Sequence, residues 1–574
     1  MGVKFKFFRF LRIAFALAVF LLISVQFLDL YHSLPRSYYA NNPIQTQFAP
    51  SLLKWISTGA VVAGAGFITF CIFALIFGRV YCASFCAFGV LMDILRVPVK
   101  FVAKAKFFKN SKLAKKAKDA LKMSYKRSRN LLRATFLGLA IILITCGWTT
   151  LFGLIDPYSL YGKIMGSCVH PVIAQFVNFV SEQFYNFEIY AVAPIDGNPQ
   201  ISIALFGFAL LLLVAIAVAS MLRGRLFCNT VCPVGALLGF ISKFSIFQLQ
   251  IDKSSCVSCG MCERNCKAEC INVKEKSLDF SKCVLCLNCA TSCPKSALKY
   301  GLNSKYCIQK NESNAKSTSC RSDKKSADFK VSRRKLPVAL ASVSALLFAG
   351  AKKEANAKIQ KGNVSAYGVD GERADKRLTA PPGAISIENF LENCTACQIC
   401  TAACKAQILK PSTTEWGLAH FMQPYMDFSD GFCLYECHSC SKACPTGAIR
   451  FVSGKVKRTT KIGTAIFNPD LCVVKTDGTD CAACGEHCPV QAIEMLPYGK
   501  KEDSLYIPHV HADVCIGCGA CESICPVRPH RAIVVQGLAE HIKAKKFEES
   551  MRIHKTVKEK PKGEVKKQDN PFPF

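Results

Sequence analysis

The first half of the chain alternates long apolar stretches with polar segments. Four of the stretches are long enough to cross a bilayer as helices, at about Phe10–Tyr31, Trp55–Phe77, Ala134–Ile155 and Ile201–Leu222. A buried core helix is the alternative for the first stretch, which is less apolar at its ends. The pattern therefore predicts a membrane four-helix bundle over residues 1–245, embedded in a lipid bilayer.

The distribution of Lys and Arg orients these spans. The N-terminus is basic, and the 78–133 loop carries fourteen Lys or Arg residues between Arg96 and Arg133. The 156–200 segment, read as a loop, has four acidic residues against Lys163 alone. Because basic loops stay in the cytoplasm, the N-terminus, the 78–133 loop and the chain after the fourth span are predicted to be cytoplasmic. The protein is thus expected in the inner (cytoplasmic) membrane as a multi-pass protein.

A short motif occurs twice, once after the second span and once after the fourth. The copies are Gly78-Arg79-Val80-Tyr81-Cys82-x3-Cys86 and Gly224-Arg225-Leu226-Phe227-Cys228-x3-Cys232. Two copies of a helix pair followed by Cys-x3-Cys predict a pseudo-twofold bundle. The four cysteines either bind a metal or cluster together or remain free thiols. Three isolated cysteines are expected to be small buried residues: Cys71, Cys146 and Cys168.

Residues 246–303 contain two C-x2-C-x2-C-x3-C runs, the pattern of an α+β two-cluster bacterial ferredoxin. In that pattern the fourth cysteine of each run binds the cluster of the other run. Zinc is the alternative, but zinc sites pair two C-x2-C knuckles across a longer spacer. The predicted ligand sets are Cys256, Cys259, Cys262 with Cys293, and Cys283, Cys286, Cys289 with Cys266.

Residues 380–537 repeat this chemistry four times and predict an α+β polyferredoxin with four clusters. Exchange of the fourth cysteine between neighbouring runs and exchange in a nested order both remain open. The four runs are Cys394, Cys397, Cys400, Cys404; Cys433, Cys437, Cys440, Cys444; Cys472, Cys481, Cys484, Cys488; and Cys515, Cys518, Cys521, Cys525. The chain is thus expected to hold six 4Fe–4S clusters.

Other cofactors and partners are tested by what the sequence lacks. Only His32 and His170 lie in the membrane half, there is no C-x-x-C-H, and no G-x-G-x-x-G follows a strand, so neither haem nor flavin is indicated. The formal net charge is +33. Six oxidised clusters, each about −2 with its thiolates, offset part of that charge, and much of the rest lies between two apolar segments. Nucleic acid is therefore not the expected partner.

A signal-like segment separates the two ferredoxin regions. A polar linker at 304–331 leads into Arg333-Arg334 and a modest apolar run, and the segment 332–357 ends in a small-residue site. This pattern resembles a twin-arginine (Tat) signal, which exports folded, cofactor-loaded cargo. A basic linker beside a buried helix is the alternative. The signal predicts a periplasmic C-terminal polyferredoxin, followed by a basic tail at 538–574.

The two halves resemble two known proteins fused into one chain. Residues 1–300 resemble the NapH-type membrane ferredoxins, through the spans, the repeated Cys motif and Asp156-Pro157-Tyr158-Ser159. Residues 330–537 resemble the NapG-type polyferredoxins, through the twin arginines and Pro381-Pro382-Gly383-Ala384. The resemblance implies quinol oxidation in the membrane and electron delivery to a periplasmic reductase. Ala87 and Lys405 replace prolines of the usual motifs.

The expected function is therefore that of a membrane quinol dehydrogenase component of a respiratory chain, with quinol and a periplasmic or membrane-associated oxidoreductase as partners. Two alternatives are an electron-donating maturation factor for a metalloenzyme and a cytoplasmic ferredoxin module that exchanges electrons with the quinone pool. Four candidate proton acceptors lie near the outer face, namely Asp29, His32, Asp156 and His170, and a solvated loop position is expected for each. No catalytic residue is assigned.

Overall fold

The computed structural model describes residues 2–35, 38, 43–98, 123–125, 129–190, 192–195, 202–303, 378–498 and 505–545. The predicted linker (304–331) and the twin-arginine segment (332–357) lie outside these residues, as does the tail beyond residue 545. Among the described residues the chain forms an N-terminal helical domain, a small ferredoxin domain and a larger C-terminal ferredoxin domain.

The described part of the N-terminal domain is built from helices. Its helices are α1 (Gly2–Phe27), α2 (Phe48–Thr58), α3 (Ala65–Phe77), α4 (Tyr81–Ser84), α5 (Ala87–Leu95), α6 (Asn130–Thr145), α7 (Thr149–Phe152), α8 (Pro157–Ile164), α9 (His170–Asn186), α10 (Ile203–Arg223), α11 (Leu226–Thr230) and α12 (Pro233–Ile241). A π-helical turn (Met165–Val169) joins α8 to α9, and 3₁₀ turns lie at Val61–Gly64 and Ser242–Phe244.

The two ferredoxin domains combine short helices with antiparallel strand pairs. The helices are α13 (Met261–Arg264), α14 (Asn288–Ser292), α15 (Ile387–Asn393), α16 (Ile399–Ala402), α17 (Ser439–Ala443), α18 (Gly454–Lys457), α19 (Val473–Thr476), α20 (Ala483–Glu486) and α21 (Ala520–Ile524). The strands are β1 (Phe247–Ile251), β2 (Ile271–Asn272), β3 (Ser277–Leu278), β4 (Leu298–Leu302), β5 (Leu409–Pro411), β6 (Pro424–Met426), β7 (Thr460–Phe467), β8 (Ile493–Tyr498), β9 (Leu505–Val510) and β10 (Ile533–Lys543). The pairs are β1–β4, β2–β3, β5–β6, β7–β10 and β8–β9. Because β10 continues to Lys543, the C-terminal domain extends past the predicted boundary at 537.

Three described helical segments are long and apolar enough to cross a membrane: Phe5–Phe27, Pro157–Asn186 and Ile203–Arg223. The first and last match the first and fourth predicted spans. The helices at the second and third predicted spans are shorter, at Val61–Phe77 and Asn130–Thr145. Glycines with positive φ account for this difference. Gly59 (φ 70°) ends α2, and Gly147 (φ 77°) follows the end of α6.

The prediction that 156–200 is a loop is wrong for most of that segment. Its first thirty residues are the continuous helical stretch Pro157–Asn186. The Asp156 carboxylate accepts a hydrogen bond from the Ser159 backbone N–H at 2.8 Å, and Pro157 occupies the first helical position. Both residues are standard signals for the start of a helix, and the net acidity of the segment obscured them in the sequence.

The two ferredoxin domains contact opposite ends of the helical domain. Near the start of α1, the Arg9 guanidinium donates a hydrogen bond to the Thr291 hydroxyl of the first ferredoxin at 3.3 Å, whereas α1 also contacts α16 of the C-terminal ferredoxin. Helix α10 has the opposite polarity. Its Leu205 packs against Met422 of the C-terminal ferredoxin, and the Arg225 N–H just past its end donates to the Lys267 carbonyl oxygen at 3.0 Å. The 21 residues of α10 span about 31 Å, close to the thickness of a bilayer core.

The long helices expose many large apolar side chains, as lipid-facing helices do. On α1, α3, α6 and α10 these include Phe8, Phe15, Leu21, Ile72, Phe73, Leu139, Ile142, Leu211, Val214 and Leu222. This surface and the three long apolar segments together favour a membrane protein.

One buried ion-pair network joins the repeat to the first ferredoxin. Arg225 is almost completely buried and contacts Asp93 of α5 at 2.8 Å, and Lys267 of the first ferredoxin reaches the same carboxylate oxygen at 2.9 Å. Burial of Asp93 disfavours its charge, but Arg225 and Lys267 hold its pKa well below the ordinary value. Asp93 therefore balances a buried guanidinium that has few other ways to be neutralised.

Replacing Asp93 with Asn should destabilise the junction between the helical domain and the first ferredoxin. The change leaves Arg225 buried without its carboxylate, which costs about 3 kcal/mol. Thermal unfolding of the detergent-solubilised full chain should show a lower midpoint. Asp252→Asn is the matched control, because its partner Lys299 is 56% exposed and such pairs contribute about 0–1 kcal/mol. Equal midpoints for the two variants would contradict the role given to Asp93.

Candidate iron–sulfur sites

The first ferredoxin places one predicted quartet around a single cavity. Its lining includes Cys256, Cys259, Cys262 and Cys293, together with Pro294. Ser258 (φ 55°) and Gly260 (φ 72°) have left-handed backbone conformations, which wind the C-x2-C-x2-C loop tightly enough for its three thiols to face inward. The fourth thiol comes from the second run, so the crossed arrangement expected from the sequence is present in the geometry.

The second quartet of this domain is more deeply buried. Burial raises the pKa of Cys289 well above its ordinary value, and the neighbouring charges of Cys286, Cys266 and Cys283 raise it further. The fourth member, Cys266, again comes from the other run. The remaining cysteine, Cys270, belongs to neither predicted quartet, but its thiol lies 3.4 Å from the Cys266 sulfur and also contacts the Cys283 thiol.

In the C-terminal domain the first two runs exchange their fourth cysteines. Burial raises the pKa of Cys400, and the charges that add to this effect come first from Cys394, Cys397 and Cys444. The thiol of Cys404, in contrast, lies beside Cys433 and Cys437, whose charges add to the effect of burial on its pKa. Each quartet thus takes one thiol from the neighbouring run.

The third and fourth runs follow the same rule. One cavity is lined by Cys472, Cys481, Cys484 and Cys525. Next to Cys521 lie Cys518, Cys515 and Cys488, whose charges raise its pKa beyond the effect of burial. The arrangement left open by the sequence is therefore exchange between neighbours, and nesting does not occur.

The four quartets of this domain form a connected series. Run one exchanges with run two, and the Cys433 N–H of run two donates to the Cys518 carbonyl oxygen of run four at 2.9 Å. Run four exchanges in turn with run three. Around Cys481 the chain from Lys475 to Asp480 is exposed, so the quartet completed by Cys525 lies near the surface. The series leads from the helical domain to the outside of the protein.

The quartet containing Cys397 packs against the helical domain. Lys163 on α8 donates to the Thr395 carbonyl oxygen at 3.1 Å, and the Ser167 hydroxyl donates to the side-chain oxygen of Gln398 at 2.6 Å. A Cβ atom on Gly162 would lie 2.1 Å from the Cys397 carbonyl oxygen. Only glycine therefore permits this close approach, and the contact fixes the Cys-bearing loop against α8.

Buried polar atoms without partners lie beside this quartet. Asp156 is 1% exposed, and neither its Oδ1 atom nor the Tyr158 hydroxyl has a hydrogen-bond partner. Burial raises the pKa of Asp156 to about 6, despite hydrogen bonds from Ser159 and the nearby charge of Lys163. Asp156 in turn adds to the effect of burial in raising the pKa of Cys397 to about 12. The Asp156 carboxylate and the Tyr158 hydroxyl thus lie near the thiols of this quartet, in a part of the core that is shielded from solvent.

The expectation of solvated positions for the proton-acceptor candidates is wrong for the two carboxylates. Asp156 is buried, and Asp29 is only 7% exposed, with its carboxylate accepting hydrogen bonds from the Ser33 and Leu34 backbone N–H groups. His32 and His170 are partly buried, and burial lowers the pKa of His32.

The repeated Cys-x3-Cys motifs come together in the core of the helical domain. Cys82, Cys86, Cys228 and Cys232 are all buried in one apolar cluster. Burial raises the pKa of Cys232 well above its ordinary value, with further contributions from the charges of the other three thiols. Among the described residues, no group of three or more His, Cys, Asp or Glu side chains is arranged to hold a single metal ion.

Two arginines cross between the copies of the motif. Arg79 of the first copy donates to the Cys228 carbonyl oxygen at 3.1 Å, and Arg225 of the second donates to the Cys82 carbonyl oxygen at 2.8 Å. Sequence reasoning gave these arginines no role, although both occupy the same position in the repeated Gly-Arg-x-aromatic-Cys motif. Of the three isolated cysteines, Cys168 is buried and Cys71 partly so. Cys146 is exposed, against expectation, because it follows the last turn of α6.

Comparison with known families identifies iron–sulfur domains in both parts of the chain. Residues 479–528 match a family described as a 4Fe-4S dicluster domain. Residues 60–106 and 205–250 each match a family described as a 4Fe-4S binding domain, and these two segments contain the two Cys-x3-Cys motifs. No solved structure matches the chain.

Several curated proteins are similar to the chain over about 160 residues. The methylamine utilization ferredoxin-type protein MauM of Paracoccus denitrificans is 34% identical over 28% of this chain and 72% of its own length. MauM of Methylorubrum extorquens is 30% identical over 28% of this chain and 74% of its own. The ferredoxin-type protein NapG of Escherichia coli is 31% identical over 27% of this chain and 68% of its own. The chain therefore belongs to the family of ferredoxin-type 4Fe–4S electron-transfer proteins that includes MauM and NapG.

Proposed function

We propose that the protein oxidises quinol at its helical domain and delivers the electrons to a periplasmic reductase of the nitrate-reductase type. The observation that carries this proposal is the contact between the Cys397 quartet and the buried Asp156–Lys163 segment. Quinol bound next to this quartet would give up its protons and its electrons to neighbouring groups. The type of reductase is inferred only from the resemblance of the two halves to NapH-type and NapG-type proteins.

The residues of the six quartets fit 4Fe–4S clusters, because each set has three thiols from one cysteine run and a fourth thiol from the neighbouring run. When bound, such clusters supply one-electron redox chemistry. The protein holds the thiols in place and excludes water. Lys163 holds the loop that carries Cys397 through the Thr395 carbonyl oxygen, and Gly162 sets the distance.

Asp156 is suited to accept a proton from quinol. Its Oδ1 atom has no partner, and the pKa of about 6 keeps the side chain ionised yet easily protonated near neutral pH. The unpartnered hydroxyl of Tyr158 is available to position the quinol oxygen. In this proposal Asp156 is the proton acceptor and Tyr158 is a positioning residue.

The surface end of the C-terminal series supports an external acceptor. The exposed segment around Cys481 places one quartet within reach of a docking protein. The opposite contacts of the two ferredoxin domains support one domain on each side of the membrane. In this arrangement the first ferredoxin is cytoplasmic and the C-terminal one is periplasmic.

Asp156→Asn should slow reduction of the protein by a reduced menaquinone analogue by about a hundredfold, as expected for loss of a general base. Asn keeps the helix N-cap, so α8 stays folded. In the parent, the anaerobic stopped-flow rate should rise with pH through about 6, where the Asp156 pKa lies, because only the ionised carboxylate accepts a proton. The variant should lose this dependence.

Asp29→Asn is the matched control, since Asp29 is also a buried carboxylate near the end of α1 and is already satisfied by backbone N–H groups. It should leave the rate and the pH profile close to those of the parent. An Asp156→Asn variant with the parent's rate and profile would exclude Asp156 as the proton acceptor.

Protease added to intact spheroplasts should cut the C-terminal ferredoxin of the parent and spare the first ferredoxin. Arg333→Lys with Arg334→Lys should protect the C-terminal domain, because twin-arginine export requires both arginines. Lys335→Arg is the control and should leave cleavage unchanged. If the C-terminal domain of the parent is as well protected as that of the double variant, both ferredoxins lie in the cytoplasm and a periplasmic reductase is excluded as the partner.

A further inference from the structure

We infer that Cys82, Cys86, Cys228 and Cys232 hold a seventh 4Fe–4S cluster inside the helical domain. The existence of this site is independent of what reduces the protein. Its role as an electron relay between the two ferredoxin domains rests on the proposed function.

The repeated motif presents its thiols in the same way in both copies. Cys86 precedes α5 and Cys232 precedes α12, and each of these helices has nine residues. The Gly235 N–H donates a hydrogen bond to the Cys232 sulfur at 3.3 Å. Amide groups at the start of a helix stabilise a thiolate, and hydrogen bonds to sulfur are typical of cluster ligands.

Close packing fixes the two Cys-x3-Cys turns. A Cβ atom on Gly89 would lie 2.6 Å from the Cys82 carbonyl oxygen, and one on Gly235 would lie 2.1 Å from that of Cys228. Each glycine thus allows the helix that follows the second cysteine to fold back onto the first cysteine. This holds the two thiols of each turn on the same side, facing the other copy.

The buried arginines beside the four cysteines need a negative charge nearby. Arg79 is completely buried, and among the described residues its partners are uncharged: the Asn229 side-chain oxygen, the Ser281 and Cys228 carbonyl oxygens and the Cys82 sulfur. The Nε atoms of both Arg79 and Arg225 are buried without a partner. Arg225 has Asp93 as its counter-ion, whereas no described carboxylate pairs with Arg79, and a buried guanidinium without an anion is costly. An oxidised cluster with four thiolates, at about −2, supplies the missing charge.

The position of the site suits a relay. Arg12 on α1 donates to the Ala83 carbonyl oxygen at 2.8 Å, one turn of helix from the contact of Arg9 with the first ferredoxin. On the other side, α5 packs against α8, which carries the contact with the Cys397 quartet. The four cysteines, Cys286 and Cys397 belong to one continuous core cluster. The site therefore lies between the two ferredoxin domains.

An intermediate centre in the helical domain shortens each electron-transfer step. Electron tunnelling falls steeply with separation, and the helical domain is about 30 Å long, by the rise of its helices. At a relay, one electron arrives as the donor centre is oxidised and leaves as the acceptor centre is reduced. No bond forms or breaks, and no proton is needed.

Iron and sulfide analysis of the full chain, purified anaerobically, tests the site. The parent should contain about 28 irons, since seven clusters carry four irons each. Cys228→Ser with Cys232→Ser should lower this to about 24 and remove one electron paramagnetic resonance signal, leaving the others. Cys71→Ser, outside the site, should leave about 28.

A parent with about 24 irons overturns the inference, and so does stoichiometric zinc or a disulfide among the four cysteines. Should the double variant not fold, the parent count and the single variant Cys86→Ser still decide the question. A parent with about 28 irons that quinol cannot reduce would refute the proposed function and leave the seventh site standing.

Discussion

The helical domain depends on burying two guanidinium groups between its two halves. Arg79 and Arg225 each reach from one copy of the repeat to the backbone of a cysteine in the other copy. These contacts close the two helix pairs into one unit. Further contacts extend the unit to the first ferredoxin, since Arg79 also donates to the Ser281 carbonyl oxygen and Lys267 joins Arg225 at Asp93. The positive charge of the two arginines favours a negatively charged group in the core between the two copies of the repeat.

Two long helices set the distance between the ferredoxin domains. Helices α1 and α10 run in opposite directions, and each contacts the first ferredoxin at one end and the C-terminal ferredoxin at the other. The cysteine sets are thereby arranged in a line rather than scattered. They lead from the first ferredoxin through the helical domain to the Cys397 quartet, and from there to the surface near Cys481.

Spacing alone was sufficient to group the cysteines of the first ferredoxin, because a C-x2-C-x2-C loop is too short to place its thiols anywhere but around one centre. The sequence could not predict which runs of the C-terminal domain exchange their fourth cysteines, since neighbouring and nested orders differ only in how distant loops pack. Helix breaks at Gly59 and Gly147 shortened two predicted spans. The acidic residues of the segment that begins at Pro157 favoured a loop, although Asp156 and Pro157 are signals for the start of a helix. The fit of Gly162 against the Cys397 loop joins segments more than 200 residues apart, so no local pattern indicates it.

The proposed relay carries electrons across the membrane between the two ferredoxin domains. Proteoliposomes with the full chain in one orientation allow a direct measurement, using a membrane-impermeant reductant outside and an impermeant iron(III) acceptor inside. The enclosed acceptor should be reduced only when the protein is present, and reduction should stop when the Cys397 quartet is removed. If clusters of both ferredoxins become reduced from outside while the enclosed acceptor stays oxidised, the two domains lie on the same side of the membrane and the protein carries no electrons across it.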